Sequence, residues 1–267
     1  MSRPVGGTAG GGQTGDGLRE AVHRGRLYAG TSGFAYPSWI PRFYAPGRAS
    51  RKLLTAYADR LPAVELNNTF YRRPSAATVD GWLAQTPAHF RFCPKAPRGA
   101  AWRTWRGGPT AEDRGDPPAS PMAWLAESFR AFGDRLGCVL LSAPATAGRD
   151  DEALARLLDA RPPDLPMALE LRHPSWAADE VHRMLADHSV ALAATDMDDG
   201  PEPDLRRIGP FLYLRLRRPS YCEEDLARWA SRLEPFLADG LDAFIFLRHD
   251  EDGANALRAE ALLELCA

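Results

Sequence analysis

From Leu27 onward, short apolar runs alternate with stretches of helical spacing. Leu27–Gly30, Ala63–Asn67, Phe90–Lys95, Cys138–Ser142, Pro166–Leu171, Val190–Thr195, Phe211–Leu216 and Ala243–Leu247 read as strands, punctuated by Gly and Pro. Between them, Arg51–Arg60, Ser75–Gln85, Met122–Arg135, Asp150–Ala160, Ala177–His188, Glu223–Asp239 and Ala254–Leu265 carry apolar residues at helical intervals. Ser50 and Ser75 are candidate N-caps. Only the first and sixth strands lack a helix directly behind them. Such alternation predicts a parallel sheet, and eight units in about 240 residues match a closed (β/α)8 TIM barrel. A doubly wound open sheet is the alternative. Residues 1–25 read as a flexible Gly-rich leader, and residues 26–267 as one barrel domain.

Side chains alternate across a strand, so in a barrel one parity meets the helices and the other fills the interior. With Val64 and Leu66 outward, Glu65 and Asn67 point inward. The same rule turns inward Cys93 and Lys95, Ser142, Glu170 and Arg172, Asp196, Tyr213 and Arg215, Phe246, Arg248 and Asp250. In this register Ala193 and Thr195 face outward. Nearly all the inward polar groups fall at the C-terminal halves of their strands, the end where barrel enzymes build their active sites.

Composition narrows the reading. The 267 residues are 45% hydrophobic with a net charge of −2, Lys+Arg 33 against Asp+Glu 35. That balance argues against a basic nucleic-acid binder as a whole-chain description. Four scattered cysteines form no C-x-x-C pair, which fits reduced thiols in the cytoplasm. No apolar run is long enough for a membrane span, and the opening residues have no signal-peptide core.

The rim residues suggest specific chemistry. Glu65, Glu170 and Asp196 are the candidate acids and bases, with Glu65 and Glu170 facing each other across a substrate. Lys95, Arg172, Arg215 and Arg248 suit an anion, with Asn67, Tyr71, His173, His249 and Asp250 as further contacts. Lys95 as a Schiff-base nucleophile is a weaker variant. The competing structural reading is a self-neutralising ion-pair plug, although buried pairs often gain little over apolar replacements. No paired-His spacing, P-loop, dinucleotide fingerprint or G-x-S-x-G elbow is present, so no metal and no cofactor are expected. Backbone N–H groups of Gly30-Thr31-Ser32-Gly33 are a weak oxyanion candidate. Trp102-Arg103-Thr104-Trp105-Arg106, in the irregular stretch from Arg98 to Pro121, interleaves aromatic and basic residues that could stack on bases.

Several strings at the strand ends go together: Gly30-Thr31-Ser32-Gly33-Phe34-x-Tyr36-x-x-Trp39; Val64-Glu65-Leu66-Asn67-Asn68-Thr69-Phe70-Tyr71-Arg72-x-Pro74; Phe90-x-Phe92-x-x-Lys95-Ala96-Pro97-Arg98; Glu170-Leu171-Arg172-His173-Pro174-Ser175-Trp176; and Arg248-His249-Asp250. With Arg215 and Tyr221, they resemble the YecE-like family, domain of unknown function family 72, from about Leu27 to the C-terminus. The resemblance implies a TIM barrel and no established activity. The chain departs from the family pattern at four places. Gly99-Ala100-Ala101-Trp102 stands where Thr-His is usual, and Leu141-Ser142-Ala143-Pro144 where the strand ends in Gln before Pro-Pro. Arg217-Arg218 replaces His-Gly, and Arg248-His249 replaces Asn-Asn. The expectation is a metal-independent hydrolase or isomerase with an anion-accepting rim pocket, acting on a phosphorylated, sugar-like or nucleic-acid-derived substrate. The alternative is a non-catalytic module binding nucleic acid or another ligand.

Overall fold

A computed structural model describes Met1 and residues 23–47, 49–99, 101, 105 and 121–267. The expected leader falls almost wholly outside them. Eight parallel strands form one sheet: β1 (Leu27–Ser32), β2 (Ala63–Leu66), β3 (Arg91–Pro94), β4 (Val139–Ser142), β5 (Met167–Glu170), β6 (Ala191–Asp196), β7 (Phe211–Leu216) and β8 (Asp242–Leu247). Their order, β3-β2-β1-β8-β7-β6-β5-β4, wraps into a nearly closed cylinder. Two isolated parallel bridges, Phe92 to Leu136 and Lys95 to Leu140, span the seam between β3 and β4. The open-sheet alternative is thereby excluded.

Seven α-helices lie among the described residues: α1 (Leu53–Ala58), α2 (Ala76–Ala84), α3 (Pro121–Phe129), α4 (Asp151–Ala160), α5 (Asp179–Asp187), α6 (Glu223–Ala238) and α7 (Ala254–Leu265). Ser75 caps α2 by accepting from Thr78 N, and Asp150 caps α4 by accepting from Ala153 N. Ser50 does not cap α1; it opens a 3-10 turn ahead of the helix. Between β6 and β7 no helix forms, and residues 197–210 run over the barrel wall instead.

Two apolar layers result. Val64, Leu66, Phe92, Val139, Leu141, Leu169, Leu214, Leu216, Ile245 and Leu247 are buried between strands and helices. Inside the cylinder, Tyr28, Phe211, Phe244 and Phe246 pack with Ala63, Cys93, Leu140, Ala168, Ala191 and Ala193. Tyr28 stacks on Phe244 with ring centroids 4.8 Å apart. This packed floor lies toward the N-terminal side and leaves the C-terminal rim for polar groups.

Strand spacing at the β1–β2 boundary depends on Gly30. A Cβ there would lie 2.0 Å from Ala63 O and 2.8 Å from the Tyr57 hydroxyl. That hydroxyl accepts from Thr31 N at 2.7 Å and donates to Ala63 O at 3.0 Å, joining the two strands. Gly33 N already donates to Thr31 O, so two of the N–H groups of the expected oxyanion cradle are taken.

Candidate active site at the barrel mouth

The alternation rule holds on β2, β5 and β7, where large apolar residues fix the outward face. Glu65, Glu170 and Arg215 therefore meet at the C-terminal end of the interior, with relative exposures of 0%, 2% and 7%. Arg215 occupies the space expected for substrate between the carboxylates. Its Nε and Nη2 donate to the two oxygens of Glu65, both at 2.9 Å, and its Nη1 donates to Glu170 Oε1 at 2.6 Å. The acid–base pair facing across a substrate is corrected accordingly: the two groups share one guanidinium.

Each carboxylate has further donors. Glu65 accepts from the Tyr213 hydroxyl at 2.8 Å, Ser32 Oγ at 2.9 Å and Arg217 Nη2 at 2.7 Å. Arg217 Nη1 also donates to Ser32 Oγ. Glu170 accepts from Ser142 Oγ at 2.6 Å and Thr195 Oγ1 at 3.1 Å. Burial alone would raise the Glu170 carboxyl, but Arg215, Ser142 and Lys95 outweigh it and hold the group down to about 2. Burial opposes the Arg215 charge, and Glu65 and Glu170 more than restore it, raising the guanidinium above its ordinary range. The cluster of Glu65, Glu170, Arg215 and Arg217 thus has a formal charge of zero, and every carboxylate oxygen in it accepts at least one hydrogen bond.

Lys95 lies beside this cluster but outside its hydrogen bonds. Its backbone is fixed: Lys95 N donates to Leu66 O, and Thr69 Oγ1 donates to Lys95 O at 2.7 Å. The half-buried ammonium stands 4.8 Å from the centre of the Phe70 ring and has no hydrogen bond or ion pair among the described residues. Burial and then Arg215 lower its pKa, against the pull of Glu170 and Glu65. A cavity of about 500 Å³ opens here, lined by Phe70, Lys95, Arg98, Ser142, Ala143 and Arg172 among others. Arg98 and Arg172 are exposed and likewise make no ion pair among the described residues. The volume suits a small ligand.

A second cavity, about 440 Å³, runs along the wall where the helix after β6 is missing, between Leu192, Ala194, Ile208 and Leu212. Most of its charged residues are engaged with one another: Arg206 pairs with Asp204 at 2.9 Å and Asp179 at 3.6 Å, and Arg172 borders this cavity as well as the one at the mouth. Lys95 and Arg98, by contrast, border only the cavity at the mouth, so the unpaired cations gather there.

Other expected site residues lie elsewhere. On β6 the expected register is reversed. Leu192, the one large apolar side chain in the strand, packs toward the helices, so Ala191 and Ala193 face inward and Thr195 reaches Glu170. Asp196 is buried on the opposite side, accepting from Arg218 Nη2 and the Tyr221 hydroxyl, both at 2.9 Å. Arg248 and Asp250 follow the end of β8, where the pleat no longer directs them. Arg248 is exposed, and Asp250 caps α7 through Gly253 N at 2.8 Å and Asn255 N at 2.7 Å. His249 stacks on Tyr36 with centroids 5.0 Å apart, and His173 Nδ1 bonds Ser175. Tyr71 is 85% exposed against Phe70, and half-buried Asn67 makes no side-chain hydrogen bond among the described residues. Trp102, Arg103, Thr104 and Arg106 lie outside the described residues; Trp105 is buried against Trp176. Among the described residues, no group of three or more His, Cys, Asp and Glu side chains is placed to hold a metal ion.

Ser32, Thr195 and Arg217 also give side chains to the site, where the sequence offers Ser32 only as a backbone donor, Thr195 as outward-facing and Arg217 as a departure from the family pattern. Arg217 follows Tyr213 and Arg215 at two-residue intervals, so carrying the pleat one step past Leu216 finds it. Ser32 appears once β1 is extended beyond Gly30.

Fold and rim together define an α/β-barrel protein with a charged pocket at the C-terminal mouth. The chain belongs to the family described as Protein of unknown function DUF72, whose model matches residues 28–267. It is 29% identical over 158 residues to UPF0759 protein YunF of Bacillus subtilis (strain 168), covering 56% of this chain and 52% of that protein. Its identity to UPF0759 protein YecE of Escherichia coli (strain K12) is 31% over 157 residues, covering 57% and 50%. The matched region thus spans about half the length of these relatives. A DUF72 family protein of Thermotoga maritima MSB8 superposes with a TM-score of 0.74 at 22% identity, covering 90% of this chain and 98% of that one. One from Enterococcus faecalis V583 gives 0.67 at 18% identity, covering 91% and 97%. At these identities the likeness is one of fold. No helix among the described residues is long and apolar enough to cross a membrane.

Proposed function

We propose that this protein is an enzyme acting on a small anionic substrate, a phosphorylated or carboxylated sugar-like compound, held at the barrel mouth. The reading rests on one observation: Lys95, Arg98 and Arg172 line one cavity with no polar side-chain partner among the described residues, beside a cluster whose own charges cancel. Three basic groups with no ion-pair partner among the described residues favour an anion. Glu65 and Glu170 then serve as positioning residues, holding Arg215 at the floor of the pocket. With its pKa near 2, Glu170 is ionised throughout the neutral range and is unsuited to donate a proton there.

Calorimetric titration with inorganic phosphate at low ionic strength tests the site. Charge-assisted hydrogen bonds contribute about 1.5–3 kcal/mol. Replacing Arg98 and Arg172 together by Gln should therefore weaken phosphate binding at least about tenfold, and added salt should weaken it in the native protein. Equal affinity in the native protein and the double variant would remove the basis of the proposal.

A further inference from the structure

We infer that Lys95 is a covalent nucleophile that forms an imine with the carbonyl group of an anionic aldehyde or ketone. This rests on the anion site proposed above and assigns it a reactive atom. The first support is compositional. Of 33 basic residues only two, Lys52 and Lys95, are lysine. Wherever the structure pairs a basic side chain other than histidine with a carboxylate, that side chain is arginine. This chain uses guanidinium groups to supply positive charge, and the mouth of the barrel departs from that habit. What an amine offers that a guanidinium does not is the ability to lose its proton and present a lone pair.

The second support is geometric. Among the described residues the Lys95 amine makes no ion pair although Glu170 and Glu65 act on it electrostatically, and Arg215 and Arg217 already bond those carboxylates. An aromatic face, Phe70, bounds it on one side, and the cavity on the other holds Arg98 and Arg172 for the anionic end of a substrate. Its main chain is anchored at both N and O on the end of the β3 segment, so the nucleophile stands on a rigid element. Burial and the neighbouring Arg215 and Arg172 favour the neutral amine, in keeping with this role.

The step balances without an added oxidant or reductant. The neutral Nζ lone pair forms a C–N bond to the carbonyl carbon, and the carbonyl π pair moves to oxygen. The oxygen takes up a proton while nitrogen gives one to water, yielding a carbinolamine. Loss of water then breaks the C–O bond and leaves the imine, which on protonation draws electrons from the adjacent carbon.

The presence of only two lysines makes the test clean. The native protein is incubated with glyceraldehyde 3-phosphate, or with glyceraldehyde, in the presence of cyanoborohydride, and the reduced adduct is located by peptide mass mapping. Exposed Lys52 is the internal reference. The inference expects Lys95 to be labelled at least about tenfold faster than Lys52 by the phosphorylated aldehyde, with excess inorganic phosphate protecting it. Lys95→Arg should abolish that label, with an unchanged circular dichroism spectrum showing that the fold is kept. Labelling of Lys95 no faster than Lys52 overturns the nucleophile assignment. Phosphate binding in that same sample decides whether the anion site falls with it. Equal labelling by glyceraldehyde, without phosphate protection, also overturns the inference as stated, because the anion would then play no part.

Discussion

Replacing Glu170 by Gln removes the charge from a carboxylate that accepts hydrogen bonds from Arg215, Ser142 and Thr195. The native carboxyl is held at about 2, against an ordinary value of 4.5. At 1.36 kcal/mol per pKa unit, the fold favours the ionised form by about 3 kcal/mol. Because the folded pKa is depressed, this stabilisation is fully present above pH 4.5 and is lost as pH falls toward 2. More than half of it is gone by pH 3. Glu170→Gln is therefore expected to cost about 3 kcal/mol at pH 7, with the gap to native protein narrowing to less than half that at pH 3. Urea unfolding of both proteins at pH 7, 4.5 and 3, followed by far-UV circular dichroism, measures the difference directly. If the gap at pH 3 equals the gap at pH 7, Glu170 is not stabilised as a charge by Arg215 and its neighbours, and the electrostatic account of the rim is wrong.

Two further substitutions probe the frame. Asp196→Asn weakens the bonds to Arg218 and Tyr221 and should lower stability by about 1.5–3 kcal/mol, the range for hydrogen bonds to charged groups, while phosphate affinity changes less than about twofold. A tenfold loss of affinity would return Asp196 to the binding site. Gly30→Ala places a methyl group against Ala63 O and should cost about 3 kcal/mol by forcing β1 from β2; an unchanged urea midpoint would contradict the observed spacing.

What the sequence made legible depended on contrast between neighbouring side chains. Val64-Glu65-Leu66 and Leu169-Glu170-Leu171 alternate a charge with large apolar groups, leaving one reasonable orientation for each carboxylate. On β6, Ala191-Leu192-Ala193-Ala194-Thr195 offers small residues on both faces, and Leu192 alone carries the signal. Reading Ala193 and Thr195 as outward reversed the strand and brought Asp196 into a site that it does not enter. Beyond Leu247 the alternation rule had no strand to act on, so Arg248 and Asp250 were assigned to the interior when one is exposed and the other caps a helix. Arg217 was missed for the opposite reason: the extended backbone continues past the last residue of β7. Which cation each carboxylate selects depends on side-chain reach across the cylinder, which periodicity does not encode.

The ion cluster is best understood by what it prevents. Burying Glu65, Glu170 and Arg215 incurs a desolvation penalty that an apolar plug would avoid, so the cluster is a poor means of stabilising the barrel. With Arg215 alone, the two carboxylates would retain one net negative charge, and Lys95, which already acts electrostatically on Glu170, would be drawn to neutralise it. Arg217 supplies that second positive charge through Glu65 and Ser32, at a position where the family resemblance expects His. The carboxylates are then electrically complete, and Lys95 is left at the mouth as a cation or a free amine. The two arginines at the floor thus account for the unpaired lysine above them, and the site's chemistry depends on keeping that lysine out of an ion pair.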